Sequence, residues 1–395
     1  MDGGGPNAVG VSASQRAAGS GPGERERLLA MAHGRADLAT LGRGDPDLPT
    51  PPHIVEAAKR ALDEGATHYT HWQGHSDLRE AVTEKCRLDY GVAVHPERVI
   101  ITAGAQEAVY VSFQALLDPG DEVLVADPHY PSYSAAIRLA GGVPVFIPTI
   151  QARNFVIDPS EVEARISPKT KMLVVVTPEN PTGAVIPRET ITQLADIVRR
   201  HNLLAIADDI YERFVYEGPP HASFASIPAL SDRTVMINSF SKSYSMTGWR
   251  IGYMVVPAPL VGAIEVVKHT LTICAPAVSQ AAGLAALTGP QQCVAEARST
   301  YAGRRRILLD GFERLALGGH WSRGALYVYG AIGSTGLSAY DFCVRMLTDA
   351  NVQIFPGTAY GGGEGYVRAS FLQPAADLEA ALDRMAPVIR ALRPE

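Results

Sequence analysis

The 395-residue chain is long enough for two domains, or for one large domain with a satellite. Its 46% hydrophobic and 19% charged residues have the balance of a globular enzyme, and a net charge of −6 excludes a general nucleic-acid binder. The four cysteines are scattered with no Cys-x-x-Cys pair, so neither a metal site nor a disulfide framework is expected. No apolar run reaches the length of a membrane span, and a reducing, cytoplasmic setting follows from the cysteines.

Residues 1–35 are rich in Gly, Ala and Ser and lack the apolar core of a signal peptide. They read as a flexible tail, with a short helix over Glu24–His33. The Pro-dense GDPDLPTPP (44–52) predicts extended chain leading into the first domain. Seven short apolar runs follow: ERVIITAG (97–104), DEVLVADP (121–128), GGVPVFIP (141–148), KMLVVVTP (171–178), LLAIADD (203–209), TVMINSFS (234–241) and RIGYMVV (250–256). Gly, Pro or Asp bounds most of them. Segments of helical spacing, such as 106–117 and 188–202, lie between many of them. Strands alternating with helices predict an α/β domain with a mainly parallel sheet covered on both faces. After about residue 290 the pattern changes to a long helix (Gln291–Leu315), LYVYGAI (326–332), a helix (Ser338–Ala350) and YVRASFL (366–372), a smaller α+β domain.

In such sheets ligands sit beyond the carboxyl ends of the strands, so the residues after each run carry the functional expectation. Gly104, Ala105 and Gln106 open a helix, where free N–H groups and the positive dipole end suit a phosphate; any strand-to-helix turn also uses Gly. Tyr130 in DPHYPSY could stack on a planar ring or pack its own turn. Asn180 in PENPTG points an amide into a cleft or marks an ordinary turn. Asp208 in DDIY ends an apolar strand, where a carboxylate needs a cationic or N–H partner; either aspartate there could instead cap a helix. Tyr211 follows one turn later. In SFSKSYSMTGWR (239–250), Ser239, Ser241 and Arg250 suit an anion, and Lys242 remains as a reactive amine. Together, an anion cradle, a stacking aromatic, an acid, two hydrogen-bonders and one amine describe the needs of pyridoxal 5'-phosphate.

From about residue 38 onward the chain resembles the class I/II aminotransferases, the fold-type I pyridoxal-phosphate enzymes. SFSKSYSMTGWRIGY (239–253) carries the resemblance, supported by NPTG (180–183), DDIY (208–211) and YVRASF (366–371). The resemblance implies a large domain (51–290) with a seven-stranded sheet, a small C-terminal domain (291–395), and a segment at 36–50 associated with the small domain. It implies transamination between an L-amino acid and a 2-oxo acid through a Schiff base on Lys242. Asp208 would pair with the ring nitrogen, and Tyr211 and Asn180 would bond the ring oxygen. Tyr130 would stack, and Gly104, Ala105, Gln106, Ser239, Ser241 and Arg250 would hold the phosphate. Tyr69 would reach the neighbouring subunit's phosphate, implying a homodimer with shared sites. Arg368 would clamp the substrate carboxylate, and Gly44 would lie in the loop over the substrate.

Three features depart from the family pattern. His71, Trp72 and His75 in HYTHWQGHSD (68–77) replace small or apolar residues, the stretch 271–280 holds no arginine, and Asp209 stands where glutamate is commoner. They leave open a lyase, decarboxylase or oxygen-using oxidase on the same scaffold, which shares every cofactor residue. A cofactor-binding regulatory module would need a DNA-reading domain that the N-terminal residues are too short to supply.

Overall fold

The computed structural model describes residues 14, 23–320 and 322–392. Its strands are β1 (Ala39–Thr40), β2 (Val99–Thr102), β3 (Glu122–Asp127), β4 (Val143–Pro148), β5 (Thr170–Val176), β6 (Leu204–Asp208), β7 (Thr234–Ser239), β8 (Gly252–Val255), β9 (Gly318–His320), β10 (Tyr327–Ala331), β11 (Val352–Gln353), β12 (Phe355–Pro356) and β13 (Tyr366–Ser370). Seven form one sheet in the order β2-β8-β7-β6-β5-β3-β4. The contacts among β3 to β7 are parallel, and β8 runs antiparallel to both β2 and β7. Each predicted run thus supplies one strand, with a single reversal.

Alternation along these strands builds a core on each face. Val123, Val125, Met172 and Val174 pack with the helices Ala105–Leu116 and Ser132–Leu139. Their neighbours Leu124, Leu173 and Val175 pack the other way, with Ile191, Leu194 and Val198 of the helix Arg188–Arg200. A sheet buried on both sides needs this near-continuous apolar sequence.

A four-stranded antiparallel sheet, β12-β13-β10-β9, has its own core. Helices Gln292–Arg314, Ala339–Asp349 and Ala375–Ala391 cover it with Leu308, Phe312, Phe342, Leu382 and Met385. The last of these helices, the two-residue strands and β9 were not anticipated from the sequence. The Pro-dense lead-in ends where Pro52 opens the helix Pro52–Asp63, a position at which the missing N–H costs nothing.

The N-terminal region differs from the expected tail. Residues 1–13 and 15–22 lie outside the described residues; the expected short helix forms at Glu24–Ala32, but its Leu28 and Ala32, one turn apart, are buried in the core of the smaller sheet rather than carried on a flexible tail. β1 then pairs in parallel with β11.

Candidate active site

The carboxyl ends of β2, β3, β5, β6 and β7 lie along one edge of the large sheet. Because β8 runs the other way, with Gly252 opposite Ser239, its amino end brings Arg250 to that same edge. A cavity of about 1030 Å³ opens there, and the smaller sheet closes it with Tyr327, Phe355, Tyr360 and Arg368. Gly44, Ala105, Gln106, Tyr130, Asn180, Asp208, Tyr211, Ser239, Ser241, Lys242, Arg250 and Arg368 all line it.

One end of the cavity suits an anion. Gly104 has φ +84° and stands at the N-cap of the helix Ala105–Leu116, with no side chain to occupy its first N–H groups. A Cβ at Gly104 would lie 2.5 Å from Arg250 Nη2. Arg250, itself at φ +51°, donates Nη1 to the Thr247 carbonyl at 3.0 Å and Nη2 to the Ala103 carbonyl at 3.3 Å. Gly252 lets β8 approach the turn, since a Cβ there would meet Ala105 N at 2.9 Å. Ser239 Oγ donates to Ser241 Oγ at 2.9 Å and accepts the Ser241 N–H at 3.1 Å.

Farther in, Asp208 is buried at the end of β6. Its carboxylate accepts the Tyr133 hydroxyl and, at 3.1 Å, the Ile210 N–H. Burial raises its pKa to about 6, with Asp209 adding to the rise and the two hydrogen bonds opposing it. Lys242 sits on the short helix Phe240–Ser243 and donates to the Gly44 carbonyl. Part of its surface faces the cavity, yet the surrounding protein strips its ammonium of bulk water. That burial lowers its pKa to about 8; Asp45 opposes the shift, and Arg368 and Arg250 add to it.

Arg368, on β13, is 4% exposed. It donates Nη1 to Asn180 Oδ1 at 3.1 Å and Nη2 to the Gly42 carbonyl at 2.6 Å. The rings of Tyr327 and Tyr360 stand 4.2 and 4.6 Å from its Cζ. Nε has no partner, and among the described residues no carboxylate pairs with this guanidinium. A buried, unpaired cation facing a cavity is poised for an anionic ligand.

The model of the family "Aminotransferase class I and II" matches residues 36–385. The chain belongs to that family. It is 37% identical to the aromatic-amino-acid aminotransferase 2 of Thermococcus litoralis, over 93% of this chain and 96% of the relative. It is 36% identical to an aspartate aminotransferase of Pyrococcus abyssi with the same coverage. A single mutant of Thermus thermophilus aspartate aminotransferase superposes with a TM-score of 0.92 at 38% identity, covering 96% of this chain and all of that one. The protein is therefore an aminotransferase, an enzyme of a family that uses pyridoxal phosphate.

Some predicted residues stay apart in this aminotransferase chain. Tyr69 is 79% exposed and does not line the cavity. Nor do His71, Trp72 and His75: His71 Nδ1 accepts the Gln73 N–H at 3.2 Å, and the His75 N–H donates to Gln280 Oε1 at 2.7 Å. Asp209 points away, within 3.2 Å of His221 and accepting the Ser223 hydroxyl at 2.5 Å. Other cavity residues escaped the sequence reading. Tyr133 shares the DPHYPSY run with Tyr130, and its spacing of one helical turn was the available signal. Tyr327, whose hydroxyl lies 3.0 Å from that of Tyr211, comes from a strand 116 residues away and left none. The helix Glu24–Ala32 also reaches the cavity mouth through Glu24, Arg25 and Leu29.

Proposed function

We propose that this cavity binds pyridoxal 5'-phosphate and transfers an amino group from an L-amino acid to a 2-oxo acid, with Lys242 as the amine that takes the cofactor aldehyde. One observation carries the reading: a single cavity holds a lysine with its pKa lowered to about 8, a buried aspartate, and a buried guanidinium with no carboxylate. The side-chain-free helix start at Gly104 and the adjacent Arg250 fit the phosphate.

When bound, the cofactor supplies an electron sink for charge developing at the substrate α-carbon. Asp208 keeps a proton at the far end of the ring, and its own hydrogen bonds from Tyr133 and Ile210 hold it in place. Asn180 and Tyr211 offer polar groups to the ring oxygen, and Tyr130 offers a stacking face. Ala105, Gln106, Ser239, Ser241 and Arg250 would hold the phosphate. Arg368 binds and orients the substrate carboxylate. Lys242 would carry the α-carbon proton, and a pKa lowered to about 8 suits both halves of that transfer.

The same reading extends to assembly. Residues 51–290 and 291–395 act as two domains, with 36–50 joined to the second, and closure between them shields the substrate at Gly44. Exposed Tyr69 serves a neighbouring copy in a homodimer. The setting is cytoplasmic, and no helix among the described residues is long and apolar enough to cross a membrane. Lyase, decarboxylase or oxidase chemistry is not favoured, because the relatives carry aminotransferase names. Aspartate and the aromatic amino acids, donors named for those relatives, are the first to test.

Borohydride reduction of the cofactor-loaded protein, followed by peptide mapping, is expected to place the label on residue 242. Spectral change on adding each amino acid then identifies the donor. Label on any other residue, or ammonia released without an oxo-acid acceptor, would refute the proposal.

A further inference from the structure

Glu107 is the third residue of the helix Ala105–Leu116, whose amino end faces the cavity. A carboxylate there repels the anion that the helix end is otherwise built to receive. The structure turns it aside. One Glu107 oxygen accepts the backbone N–H of Ala103. The other accepts from Lys268 Nζ at 3.1 Å and from the Thr272 hydroxyl. Lys268 is fully buried on the helix Val261–Thr272 and also donates to Thr272 Oγ1 at 3.4 Å. Neither Glu107 nor Lys268 lines the cavity.

The turn before the helix is thereby held at three of its polar groups. Glu107 takes the Ala103 N–H, Arg250 Nη2 donates to the Ala103 carbonyl at 3.3 Å, and Thr102 Oγ1 donates to the Gly104 carbonyl at 3.0 Å. This is like half of a capping box, displaced by one residue, since the N–H taken is that of the residue before the N-cap. The glutamate reaches back to the preceding turn, but a glycine replaces the side chain that would occupy the first N–H groups of the helix. Those N–H groups stay available, and the charge of the glutamate is answered from behind.

We propose that Glu107 and Lys268 are a positioning pair for the cofactor phosphate. Glu107 fixes the turn, and Lys268 cancels its charge so that the helix end presents a positive field. The inference rests on the cofactor reading above. A pair that merely fastened one helix to another would affect stability without distinguishing a phosphorylated ligand from its dephospho form.

The test titrates cofactor-stripped protein with pyridoxal 5'-phosphate and with pyridoxal, following imine absorbance, and compares the two dissociation constants. Lys268→Met is expected to reduce the preference for the phosphorylated aldehyde about tenfold, by leaving Glu107 uncancelled. Adding Glu107→Gln to that variant is expected to restore most of it. Glu107→Gln alone, which keeps an acceptor for Ala103 and removes the negative charge at the helix end, is expected to raise the preference. Equal weakening toward both aldehydes, or a double variant no better than Lys268→Met, overturns the proposal. Should Lys268→Met fail to fold, Glu107→Gln decides: a raised preference supports the pair, and an unchanged or lowered one overturns it. Native protein with no preference for the phosphorylated aldehyde, or with reduced label away from residue 242, overturns the cofactor reading itself.

Discussion

Two groups of charges are treated in opposite ways. Around the helix Ser76–Tyr90, Lys85 lies 2.7 Å from Asp89 and 2.6 Å from Glu212, Arg213 reaches Asp89 at 2.6 Å, and Tyr90 donates to Glu212. Every charge there has a partner of opposite sign. In the cavity, among the described residues, Arg368 has carbonyl and amide partners but no carboxylate, and Lys242 has only the Gly44 carbonyl. The first cluster is complete in the chain alone. On the function proposed above a ligand completes the second, and the folded protein carries that deficit as stored binding capacity.

Substitutions that alter one side of this contrast should separate its two halves. The largest effect is expected from Arg368→Gln. Losing the carboxylate fork should lower kcat/KM by about 10³-fold, while melting temperature holds or rises because an unpaired buried cation is gone. Steady-state kinetics and calorimetry on one preparation check both signs. Lys85→Met should do the reverse. Buried Glu212 would keep only the Tyr90 hydroxyl and a 3.6 Å contact to Arg213, which should cost about 3 kcal/mol in denaturant unfolding, with the spectrum of cofactor-loaded protein that remains folded unchanged.

Lys242→Met sharpens the comparison through pH. The folded pKa of the lysine, about 8, lies below its unfolded value, so between the two the unfolded chain binds more protons and native stability rises with pH. Cofactor-free Lys242→Met should therefore be more stable than the native protein at neutral pH, by about 1–3 kcal/mol, with the gap closing as pH rises above 8. Denaturant titrations from pH 7 to 10 measure it, and a gap that widens with pH would refute it. The smallest effect belongs to Tyr133→Phe. It removes a hydrogen bond that lowers the Asp208 pKa, so that pKa should climb above its present value near 6. The pH-dependent spectral transition of bound cofactor should shift by about one unit.

Local signals in the sequence account for much of the larger sheet. KMLVVVTP became Thr170–Val176 and LLAIADD became Leu204–Asp208, because a strand buried on both faces must be apolar throughout and punctuation residues bound it. Strand direction was not local information. The reversal of β8, which brings Arg250 to the cavity, depends on what the strand pairs with. Lys242, Asp208 and Asn180 stood out because they follow strands. The Glu107–Lys268 pair did not, since its members lie on two helices far apart in sequence. Tyr327 was hidden for a similar reason, and so was the docking of the helix Glu24–Ala32: its existence was legible, but not the core that Leu28 and Ala32 enter.

That helix has a practical consequence. Gly23, Glu24, Arg25, Glu26 and Leu29 border the cavity, and Glu24 accepts a hydrogen bond from Thr358 across its rim. Removing this helix would therefore do two things at once: it would open the rim of the cavity and uncover the part of the smaller sheet's core on which Leu28 and Ala32 rest.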